Sequence, residues 1–179
     1  MQLTAFRKKL QRLIDDLPAE AERLCIAQAQ SGLTIVKNRS TNKGIFVSSK
    51  EGNYADYSKN KVLTKRFIGK QRNQSGTEFI KKNRLATWHE FRKAQGLTSE
   101  KVNLSYTNRM WSSMGIIATK KINGNGFQTI IGSTDSRVDV YLPKLAERYG
   151  NFINPTTQES LQLQKDTIVD LLQFIKRNL

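Results

Sequence analysis

Few residues in this chain carry chemistry, and their spacing offers little of it. His89 is the only histidine in 179 residues, so a His pair for general acid–base work and a His cluster for zinc are both excluded. Asp15 and Asp16 are adjacent on a helical run, so they do not share a face. Asp135, Asp139 and Glu147 could in principle hold a cation or support a small metal-dependent nuclease, but their spacing follows no metal-loop pattern. Gly124-Asn-Gly126 lacks the rest of a dinucleotide fingerprint and reads as a turn. Phe67, Phe79, Trp88 and Phe91 are interleaved with basic residues, a pattern that suits either base stacking or anchoring on a protein neighbour. Cys25, the single cysteine, excludes an internal disulfide and reads as a small apolar residue. No catalytic group, metal ligand or cofactor site is expected, and function must reside in surfaces.

The elements that would present those surfaces follow from periodicity. Leu3, Phe6, Leu10, Leu13 and Leu17 recur at spacings of three and four, one stripe of a helix. Pro18 predicts a break with Asp16 capping a restart, giving a kinked helix or helix pair over residues 3–38. Trp88–Gln95 predicts a short helix closed by Gly96. Val102, Leu104 and Tyr106 alternate as in a strand. Ile116–Ile122 and Phe127–Ile131 flank Asn123-Gly-Asn-Gly126, the best hairpin signal in the chain. Val138–Tyr149 fits a short strand or a helix limited by Pro143. Asn154-Pro-Thr156 with Glu159 predicts a capped final helix reaching about Arg177, packed on the sheet. The expected class is α+β: an N-terminal helix or kinked pair, a central antiparallel sheet with a hairpin, a C-terminal helix and a long basic extended loop.

Charge is uneven. The formal net charge is +15, which favours polyanionic or acidic partners. Residues 1–36 are net +1, residues 37–109 net +12 and residues 110–179 net +2. The middle segment is rich in Gly, Ser, Asn and Lys with scattered apolar pairs, so it is expected to bury little and stay extended until a partner covers it. Residues 38–100 thus read as a basic arm inserted in a single domain spanning residues 1–179. Its candidate partner-binding residues are Lys59, Lys61, Lys65, Arg66, Phe67, Lys70 and Arg72. Hydrophobic residues make up 37%, below the roughly 45–50% of ordinary globular domains. The first residues lack a signal-peptide core, and no run approaches the ~20 apolar residues of a membrane span. A soluble chain made in the cytoplasm, with no membrane partner, is expected.

The order of short motifs adds a family. Thr34–Arg39 is a basic helix tail; Lys43-Gly-Ile45 and Tyr57-Ser58 follow in a loop; Val102–Met110 is a strand running into a turn; then come the hairpin, Arg148-Tyr-Gly-Asn-Phe152 and Asn154-Pro155. Over about residues 30–175 this order resembles the tail-completion, or head–tail joining, proteins of tailed bacteriophages. In that pattern the turn residues are Thr107, Asn108 and Met110, with Asn108 where the family carries glycine, and residues 59–83 are longer and more basic than the usual loop. The resemblance implies a structural virion protein of the neck. It implies a homo-oligomeric ring between the portal or head side and the tail, touching other neck, portal or tail proteins, with the genome DNA passing through its lumen. A non-enzymatic nucleic-acid-binding protein is the other reading, and the sequence leaves open whether the basic segment meets DNA or protein.

Overall fold

Pro18 does not end the first helix. In the computed structural model, which describes residues 3–46, 52–53, 57, 59–97, 109–122, 124, 126–149 and 152–179, α1 runs unbroken from Leu3 to Asn38. The expected restart at Asp16 is thereby corrected. Good helix formers follow the proline (Ala19, Glu20, Ala21, Glu22), and the second half of the helix is held by tertiary packing. At 36 residues α1 is about 54 Å long. A π-helical turn, Arg39–Lys43, closes it, with Gly44 in the left-handed region and its N–H donating to the Arg39 carbonyl.

Two dipeptide strands, β1 (Ile45–Phe46) and β2 (Gly52–Asn53), pair antiparallel after this turn. Next come β3 (Val62–Leu63), a 3-10 turn (Thr64–Phe67), α2 (Gln74–Lys82), β4 (Leu85–Ala86) and α3 (Trp88–Ala94). β3 and β4 pair antiparallel, with Leu63 opposite Leu85. The expectation of an extended segment is therefore corrected for residues 59–97, which form a small folded module. Its core is Phe67, Ala86 and Phe91, with Val62, Phe79, Ile80 and Trp88 packed around them. The apolar residues look scattered in sequence because the elements are short, yet each contributes one or two side chains to one cluster. Thr87 and Glu90 form a reciprocal capping box on α3, and Gly96 takes φ +69 after it, the closure its position predicts.

The rest completes an α+β arrangement. α4 (Arg109–Ser113) leads into β5 (Met114–Lys121), which pairs with β6 (Phe127–Ser133) from Met114↔Ser133 to Lys121↔Phe127, with a bulge at Ile117. The hairpin stands where the Asn-Gly signal put it, with Gly124 at φ +77. α5 (Ser136–Tyr149) is a helix that passes through Pro143, so of the two conformations open to that segment the helical one is adopted. Asp135 sets its start: its carboxylate accepts from the Arg137 N–H at 3.0 Å. α6 (Thr157–Asn178) carries the predicted Thr156–Glu159 capping box. It packs chiefly along α1 rather than on the sheet, and α1 is the element that covers β5 and β6.

The main core joins these parts. Val36, Met110, Trp111, Met114, Val138, Tyr149 and Phe152 are buried together. Trp111 and Tyr149 each meet Phe152 edge-on, with ring centroids 6.3 and 6.4 Å apart. The strand read over Val102–Tyr106 lies outside the described residues.

Candidate interaction surfaces

The catalytic candidates lie apart from one another, on α1, on α3 and at α5. Asp135 binds Arg137 (Nε 3.1 Å) and lies 3.5 Å from Arg109 Nε. The Arg137 hydrogen bonds hold its carboxyl below the usual carboxylate range. Its amide donates to Ser133 Oγ, which in turn lies 2.8 Å from Ser113 Oγ, so the group ties the end of β6 to α4 and α5. Asp139 and Glu147 are exposed on α5, and among the described residues no cluster of three metal-ligating side chains occurs. Asp15 and Asp16 are exposed, with Asp15 accepting from Gln11. His89 is half-buried on α3. Cys25 points at the hairpin, its Sγ 3.1 Å from Thr129 Oγ1. A cleft between α1 and α6 is lined by Glu20, Arg23, Asp170, Phe174, Arg177 and Asn178; the Glu20–Arg23 ion pair occupies its wall. It presents no nucleophile.

Two surfaces remain. The first is apolar. The stripe that packs Leu24, Gly32 and Val36 into the fold continues N-terminally, where Leu13 and Leu17 are half-buried but Leu3 is 67% exposed and Ile14 54%, with Phe6 and Leu10 also exposed. α1 is longer than α6, whose C-cap residue reaches back to it, with Lys9 Nζ donating to the Leu179 carbonyl at 2.7 Å. α6 carries a second bare row, Leu161, Ile168 and Leu172, on the side turned away from Leu163. Leu163 is buried and lies 3.4 Å from where a Cβ on Gly32 would sit, so a glycine lets the two helices approach closely.

The second surface is the basic module. Of the residues named for an arm, Lys59, Lys61, Lys65, Arg66, Lys70 and Arg72 are exposed on it. Phe67 is not a surface anchor: it is 3% exposed and stacks on Phe91 with centroids 4.6 Å apart. Trp88 packs edge-on against Phe67, and Lys70 Nζ stands 5.6 Å over its ring. The interleaved aromatics thus form the module's core and are committed to one another. Gln95, which no sequence pattern singles out, holds the module together. Its side chain accepts from the Arg72 N–H (2.7 Å) and donates to the Phe91 carbonyl (3.1 Å), while its own carbonyl accepts from Asn73 Nδ2.

Of the motif-turn residues, Thr107 and Asn108 lie outside the described residues. Met110 is buried in the main core beside Trp111. The motifs that end at Met110 and at Phe152 therefore meet in one cluster. A further residue was missed: Arg39, buried at 6% exposure, binds the Glu159 carboxylate and the Asn154 carbonyl (3.0 Å). It ends the Thr34–Arg39 motif, but its partners lie some 120 positions away, so nothing local announces the contact.

No family model matches the chain, and comparison with curated proteins and with solved structures gave no match. No helix among the described residues is long and apolar enough to cross a membrane.

Proposed function

We propose that this protein is a structural subunit of a bacteriophage neck, forming a homo-oligomeric ring that joins the head side to the tail and lets the genome pass. The observation that carries this reading is the bare continuation of the core stripe on α1 over Leu3, Phe6, Leu10 and Ile14. Apolar surface of this kind, continuous with a folded core, is stabilised by burial against another chain at roughly 25 cal/mol per Å². The bare row on α6 is a different surface. Two unlike faces on one chain suit a head-to-tail contact, and repeated head-to-tail contacts that close make a ring. The motif order supplies the resemblance to the neck family.

The test is genetic. With Phe6→Glu and Leu10→Glu introduced together into the encoding phage, filled heads and free tails should accumulate unjoined. Joined, infectious particles at unchanged yield would sink the reading.

A further inference from the structure

Between Lys59 and Leu97 there are eleven Lys or Arg and two Asp or Glu, a net +9 on thirty-nine residues that fold as one module. Both acids are partly used internally: Glu90 caps α3, and Glu78 lies 4.0 Å from Lys82. Lys59, Lys65, Arg66, Lys81, Arg84 and Lys93 are exposed, and among the described residues none has a carboxylate within ion-pair distance. Like charge at this density destabilises the compact state unless a counter-charge lies close.

A second copy of this chain supplies only a fraction of that counter-charge. Residues 1–36 and 110–179 are themselves net +1 and +2, and their one strongly acidic run, Asp15, Asp16, Glu20 and Glu22 on α1, carries four charges against the module's net +9. A different polyanion matches it better. The cations are distributed over the approach to β3, the 3-10 turn, the end of α2, the start of β4 and α3, not gathered around a pocket. Such a distribution suits a long polymer with regularly spaced charges. The module's aromatics are locked into its core, which removes the stacking platform that single-strand binders use. No pattern of side chains here reads bases.

We infer that the module of residues 59–97 binds the phosphate backbone of duplex DNA without regard to sequence. Contact through charge alone makes the affinity a steep function of salt, with log K falling by about 0.9 per phosphate for each unit of log salt. The contact is labile at moderate salt, so duplex can be held and released without a conformational step.

The experiment uses the full chain and a fluorescent random-sequence duplex of about 20 base pairs, titrated by anisotropy between roughly 50 and 200 mM salt. Binding should weaken at least tenfold over that range and be insensitive to duplex sequence. Lys65→Glu with Arg66→Glu and Lys81→Glu should cut affinity at least tenfold at low salt and flatten the slope. Lys65→Gln with Arg66→Gln should give a smaller loss in the same direction. Lys176→Glu with Arg177→Glu, at the far end of α6, should change little. Circular dichroism on each variant separates lost contact from lost fold. Three results overturn the inference: no binding at low salt; equal loss in the α6 variant, which means bulk charge alone; or polyglutamate outcompeting duplex at equal charge, which means an acidic protein partner. None of these readouts depends on self-association, so the ring proposal stands or falls separately.

Discussion

Arg39 is the residue whose role is largest for its lack of sequence signal. It leaves the π-helical turn at the end of α1 and reaches across to Glu159, which already caps α6 by accepting from the Thr156 N–H at 2.8 Å. Burial pushes the Glu159 carboxyl up, but the Thr156 and Arg39 hydrogen bonds outweigh it and hold its pKa below the ordinary value. A depressed folded pKa means the contribution is complete above the unfolded value of about 4.3 and is lost as pH falls through the folded one. Glu159→Gln keeps a capping side chain and removes the ion pair. It should cost about 2 kcal/mol at pH 7 by urea denaturation, with the gap to the parent closing below about pH 4. An unchanged gap at low pH would mean the pair is not what Gln loses. The cap itself was legible, because Thr-x-x-Glu is a local pattern. The same pattern at Thr87–Glu90 was equally available and marks α3. Gly76 was not legible: a Cβ there would come within 2.7 Å of Gln95 Oε1. Gly76→Ala gains helix propensity but displaces a side chain with two hydrogen bonds, and should destabilise the module by about 1–2 kcal/mol net. Hydrogen exchange at residues 72–95 measures it.

At the scale of elements, periodicity located the ends of the molecule well. The N-terminal stripe, the hairpin and the final helix all lie where their patterns place them. The two prolines misled in the same way: Pro18 and Pro143 sit inside helices because local cost is offset by flanking helix formers and packing. The basic module was missed because α2 has only Phe79 and Ile80 as apolar residues, too few to show a period. What the pattern could not show is which part of the stripe is covered. Leu24 is buried while Leu3 is bare, although both occupy the same helical face. Leu24→Ala should therefore cost about 2–5 kcal/mol. Phe6→Glu with Leu10→Glu should shift the stability of the isolated chain by no more than about 0.5 kcal/mol per site. Equal destabilisation by both in urea titrations would show that the first three turns are already packed within one chain. Phe91→Ala should cost about 3–5 kcal/mol within the module.

Taken whole, the molecule pairs a near-neutral α+β body, whose first and last helices each carry an exposed apolar row, with a module holding most of the excess charge. In the proposal the apolar rows serve contact between copies, and the charge serves a different partner, since the one acidic run of the chain, Asp15–Glu22, is small beside the module's net +9. That division accounts for +12 of the charge lying in residues 37–109. The measurement that bears most directly on the neck proposal is quantitative mass spectrometry of purified particles of the phage encoding this chain, counting copies per particle. A small fixed number, the same from preparation to preparation, is the result expected of one ring at one vertex. Absence from the particles, with the chain abundant in infected cells, would contradict it.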